Sequence, residues 1–139
     1  MKISLTRISP THHRLVCVRT DGSQENVELD TKSFLFHDLL HFAAEEAAGI
    51  QGGFWGNLAS GKTMAEMNMK GALMGAFTPQ TELDCMEIVV GALTGAWKAP
   101  ERAGNMRQGL QSIFDAYEKT LPPYITDDFA FKVWGKLGA

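Results

Sequence analysis

Two histidines one helical turn apart, His37 and His41, interrupt an otherwise oily stretch from Ser33 to Glu46, with acids beside them at Asp38 and Glu45. Polar groups in such a run are costly unless they are partnered or functional. Imidazoles at positions i and i+4 offer two ring nitrogens to one cation from a single helix turn. At 100° per residue, with His37 as zero, His41 falls at about 40°, Glu45 at about 80° and Asp38 at about 100°. Leu39, Phe36, Ala43 and Leu40 spread over the opposite side. One helix face thus carries two imidazoles and two carboxylates, which is the chemistry of a divalent-metal site, with zinc the foremost ion. His37 and His41 are the candidate ligands. Asp38 is the candidate base acting on a metal-bound water, or an acid that orients an imidazole. Glu45 or Glu66 is expected to complete the shell. A straight helix sets the Cα of Glu45 about 12 Å from that of His37, awkward for one shared ion, so a third ligand is expected from another element. Glu66, Asp84, Glu87, Cys85, His12 and His13 are the choices. The plainer alternative is a pair of histidines that hydrogen-bond buried carboxylates or helix carbonyls and help to fix the fold.

The spacing His37-Asp38-x-x-His41 is similar to the zinc-peptidase pattern H-E-x-x-H, with the acid one methylene shorter. It also resembles the zinc-ligand signature of a ubiquinone-biosynthesis protein family, in which His, Asp, His and a later Glu hold the ion. Here His37, Asp38 and His41 match. Where that family carries its later glutamate this chain has Gly52 and Gly53, and the family fold is helical, without the strands expected at this N-terminus.

Gly56-Asn57-Leu58-Ala59-Ser60-Gly61-Lys62-Thr63 spells the phosphate-loop pattern G-x-x-x-x-G-K-[ST]. That chemistry needs a loop that leaves a buried parallel strand and enters a helix, so that backbone N–H groups surround the phosphates. Ile50 to Trp55 is a poor buried strand, and the match is read as coincidence: a helix break, with Thr63 and Glu66 forming a capping box. Met64, Met67, Met69, Met74, Met86 and Met106 are read as core filler in preference to a soft-metal site. Phe54, Trp55, Trp97 and Trp134 fill the core or line a pocket.

The positioning elements follow from periodicity. Residues 1–8, 13–20 and 25–30 alternate as short strands, and Thr20-Asp21-Gly22-Ser23 supplies a tight turn, so an antiparallel three-stranded meander is predicted. Asp30 or Thr31 caps a helix that runs to about Ala48, with Gly49 as its stop. A short helix is predicted over 54–60 and further helices over 62–77, 81–98, 105–120 and from Thr126-Asp128 onward, giving, apart from the short one, an α+β domain of a meander followed by four to five helices. Gly71, Gly75, Gly91 and Gly95, spaced by four within the helices, either admit close helix approach or end a helix early.

At 139 residues one domain suffices for the chain, with the meander over 1–30 and the helical part over 31–139. A net charge of -3 argues against a nucleic-acid partner, and apolar runs too short for a membrane span point to the cytoplasm. Cys17 and Cys85 are expected as reduced thiols. The reading is a small cytoplasmic metal-binding protein able to act as a metal-dependent hydrolase. The competing class is a non-catalytic structural or interaction domain that forms a homodimer through its meander edge or glycine-rich helices.

Overall fold

The computed structural model describes residues 1–67 and 79–138. Its chain opens with β1 (Lys2–Arg7), β2 (His12–Val18) and β3 (Gln24–Asp30), paired antiparallel in the order β1-β2-β3. Helices follow, so the class is α+β. Register runs from Lys2 opposite Val18 to Arg7 opposite His13, and from His12 opposite Asp30 to Val18 opposite Gln24. The β2–β3 turn closes as its Asp-Gly pair predicts: Gly22 takes φ 87°, and the Asp21 carboxylate accepts the Ser23 N–H at 2.9 Å. Alternation puts His13, Leu15 and Cys17 on the covered face of the sheet.

Helix α1 (Thr31–Ala48) begins where Asp30 accepts the Lys32 N–H and ends at Gly49 in the left-handed region, φ 68°. Helix α2 is Phe54–Ala59, α3 is Glu82–Lys98, α4 is Met106–Ala116 and α5 is Phe129–Lys136. Thr81 and Asp84 form a full capping box on α3. The helix expected from Asn105 to Thr120 is shorter, because Pro100–Asn105 is a separate 3-10 turn and the chain leaves α4 through Glu118 at φ 56°. Of the helix expected over 62–77, Met64 to Met67 are helical. The rest, with Met69, Gly71, Met74 and Gly75, lies outside the described residues. Among the described residues nothing lies within 4 Å of a Cβ at Gly91, and only Arg102 Nη1, at 3.7 Å, meets one at Gly95. No helix among the described residues is long and apolar enough to cross a membrane.

Two apolar clusters flank α1. Leu40, Ala43 and Ala44 pack with Met86, Val90 and Leu93 of α3, Phe114 of α4, and Phe129 and Val133 of α5. On the sheet side, Leu15 and Cys17 pack with Trp55, Leu58, Met64, Met67 and Leu83. Arg19, buried at the end of the sheet, ties the second cluster together. It donates to Leu58 O at 2.6 Å, Lys62 O at 3.1 Å and Glu25 Oε2 at 2.6 Å, while Glu25 Oε1 accepts the Met64 N–H. The phosphate-loop lookalike is therefore the end of α2 and a turn whose backbone groups are already committed: Ser60 N–H bonds to Gly56 O, and Lys62 N–H to Asn57 O. Its sheet has only antiparallel pairings among the described residues.

Arg19→Met would leave the Glu25 carboxylate and two carbonyls without their donor. Urea unfolding is expected to show a loss of about 3 kcal/mol, the cost of breaking a buried pair from one side; a loss within experimental error would refute that role.

Candidate metal centre

His37 and His41 leave α1 on the side that faces α3, and there they meet Glu87. His41 Nε2 lies 3.1 Å from Glu87 Oε1 and His37 Nε2 lies 3.6 Å from Glu87 Oε2. One ligand atom from each of the three residues falls within a common 4.8 Å. Tetrahedral bonds of about 2.05 Å to zinc set ligand atoms about 3.3 Å apart; each His–Glu separation is near that value, on a different oxygen of Glu87, and the three ligand atoms would have to draw in from within 4.8 Å to share an ion. The rings stand edge to face, centroids 4.7 Å apart. His41 is 1% exposed in its side chain and His37 42%, so the group has a buried wall and an open one.

Glu45 stands behind this group. Its Oε2 accepts from His41 Nδ1 at 2.9 Å and from the Phe54 N–H at 2.8 Å, and its Oε1 accepts from the Trp55 N–H at 3.0 Å. The carboxylate thus holds the imidazole from the rear while it is itself held by the first backbone N–H groups of α2. Gly53 makes this possible, because a Cβ there would overlap the Glu45 carboxyl group. At the opposite ring nitrogen, Nε2, Glu87 Oε1 stands 3.1 Å away as an ion-pair partner, although the contact does not meet hydrogen-bond geometry. A ring anchored through Nδ1, with its other nitrogen beside a carboxylate and a second imidazole, is a grouping that could hold a metal ion.

Electrostatics agree with the geometry. Burial pulls the His41 pKa down, but the carboxylates of Glu45 and Glu87 outweigh it and raise the pKa to about 9. Burial likewise opposes ionisation of Glu87, yet His37 and His41 bring its pKa to about 2. Without a metal, the cluster is an imidazolium held between two carboxylates.

The other expected residues take different places. Asp38 is buried and outside the His–Glu group; burial raises its pKa, against the pull of His37, His41 and His13. Its backbone carbonyl accepts from Trp55 Nε1 at 3.1 Å. Glu66 lies apart from the cluster, beside Lys62 and Glu82, and its N–H receives the cap from Thr63 Oγ1. Asp84 is spent on capping α3, His12 pairs with Thr11, and His13 sits on the sheet against Thr31. The side chain that joins His37 and His41 is Glu87, one of the six residues open as a third ligand from sequence. Its signal is its setting: it is the only charge between Asp84 and Lys98 in an apolar helix.

No known protein family matches the chain, and neither a curated protein nor a solved structure does.

Two outcomes are expected of the metal-free protein. His41 carries a raised pKa, so its contribution to stability is full below its ordinary value of 6.5 and is lost as pH rises towards about 9. Glu87, with a lowered pKa, contributes fully above 4.5 and loses that contribution as pH falls towards about 2. Denaturation at a series of pH values should therefore show an alkaline loss on the order of 2 kcal/mol that His41→Gln flattens; an unchanged slope would contradict the charged cluster. Gly53→Ala should push the Glu45 carboxyl from its backbone donors and cost about 2 kcal/mol, whereas Gly91→Ala, which meets open space, should not destabilise.

Proposed function

We propose that this protein binds a divalent cation, zinc first among them, through His37, His41 and Glu87, with Glu45 fixing the ring of His41 from behind. The observation that carries the reading is the His41 ring, buried, tied at Nδ1 to Glu45 and grouped at its other nitrogen with His37 and Glu87, one ligand atom of each within 4.8 Å of the others. Two neutral imidazoles and one carboxylate are the ligand set of zinc sites that keep a position for water. A water there is acidified by the ion, which makes hydrolysis the reaction that such a centre supports. The half-exposed His37 leaves that position open to solvent. Metal entry requires His41 to give up its Nε2 proton while keeping the Nδ1–H on Glu45, so affinity falls as pH drops.

Protein purified without an affinity tag is expected to carry or take up one zinc per chain by elemental analysis. His41→Ala and Glu87→Ala should abolish this, Glu45→Gln should weaken it about 10- to 100-fold, and Glu66→Ala should leave it unchanged. Equal zinc in the wild type and Glu87→Ala, or a wild type whose melting ignores both zinc and chelator, would refute the proposal.

A further inference from the structure

On the sheet side of α1, a cavity of about 400 Å³ opens between the β1–β2 end of the meander and the first turns of the helix. Leu5, Pro10 and Leu35 give it apolar walls, and Arg7, His13 and Thr31 line it as well. Its size lies within the range of small-molecule pockets, which pair an apolar body with a few placed polar groups. Here those groups are Arg7 and His13. They are direct partners in the β1–β2 ladder, so their side chains rise side by side from the same face of the sheet.

His13 is 3% exposed. Its Nδ1 is engaged by Thr31 Oγ1 at 3.2 Å, and its Nε2 is buried with no hydrogen-bond partner. A buried imidazole nitrogen left bare is expensive, and its neighbour across the ladder is a guanidinium. Arg7 forms no ion pair with an acid among the described residues; its Nε contacts only Ser9 O, at 3.4 Å. The first twenty residues contain no acid at all. Two adjacent basic side chains on an apolar cavity with no acid among its lining residues describe a receptor for an anion carrying an apolar body; the acid of the chain within electrostatic range of His13 is the buried Asp38 of α1.

From the cross-strand pair of Arg7 and His13 above walls of Leu5, Pro10 and Leu35, we infer that this cavity binds a small aliphatic or aromatic monocarboxylate, its head on the two donors and its body against the leucines. The site is separate from the His37–His41–Glu87 cluster and uses none of its residues.

The test is a titration of isotope-labelled, chelator-treated full-length protein with hexanoate, followed by NMR of the His13 ring and the Leu5 and Leu35 methyl groups. Hexanoate should shift these signals in a saturable way. Hexanol, which lacks the charged head, and acetate, which lacks the body, should bind at least about tenfold more weakly. Arg7→Gln, at an exposed position that leaves the fold intact, should weaken hexanoate about tenfold, and Leu35→Trp should block it by filling the cavity. The inference fails if hexanoate leaves these signals unmoved at 10 mM, a ceiling at which binding would be worth less than about 3 kcal/mol. It also fails if hexanol binds as well as hexanoate, or if both variants bind as the wild type does.

Discussion

The carboxylate of Glu45 is the constraint on which the arrangement of the helices around the site depends. A charge removed from water must be fully hydrogen-bonded, and this one is met by His41 Nδ1 and by the N–H groups of Phe54 and Trp55. Those bonds fix where α2 starts relative to α1, and the approach is close enough that Gly53 has no room for a side chain. Trp55, placed by the same contact, returns a hydrogen bond to the Asp38 carbonyl. The ring of His41 is then oriented from behind, and its Nε2 comes to rest beside Glu87 on α3. One buried acid thereby joins three helices around a pair of imidazoles.

Satisfied and unsatisfied polar groups divide the molecule's polar chemistry. Arg19 is nearly as buried as His41, but its donors are met by Leu58 O, Lys62 O, Glu25 and Ser23. It acts as a fastening between the sheet and the end of α2. His41 and His13 each have one ring nitrogen hydrogen-bonded and one without a hydrogen bond. They lie on opposite sides of α1, one towards α3 and one towards the sheet. Helix α1 therefore stands between the His37–His41–Glu87 cluster and the cavity lined by Arg7 and His13.

Much of this fold was legible in the sequence because its boundaries are written in local chemistry. Asp30, Gly49, Thr81 with Asp84, and the Asp21-Gly22 turn each act within a few residues of where they stand, and each ends or starts an element where expected. The pairing of His37 with His41 was legible for the same reason, since one helix turn brings them together. Glu87 was not, because its approach depends on how α3 packs against α1, and spacing along the chain carries no information about that. Glu45 was identified as important but in the ligand shell itself. The helix-face geometry placed it near His41 correctly, but could not show that the backbone of α2 would take up its oxygens. The need for glycine at Gly53 left no mark in the local sequence, because the acid that needs its missing side chain is on a different helix.

Anomalous diffraction from crystals grown with zinc tests the central claim most directly. The account predicts one strong peak bonded to Nε2 of His37, Nε2 of His41 and a carboxylate oxygen of Glu87, with Glu45 still on His41 Nδ1. Zinc found elsewhere, or bound to Glu45 with the His41 ring turned away, would contradict it.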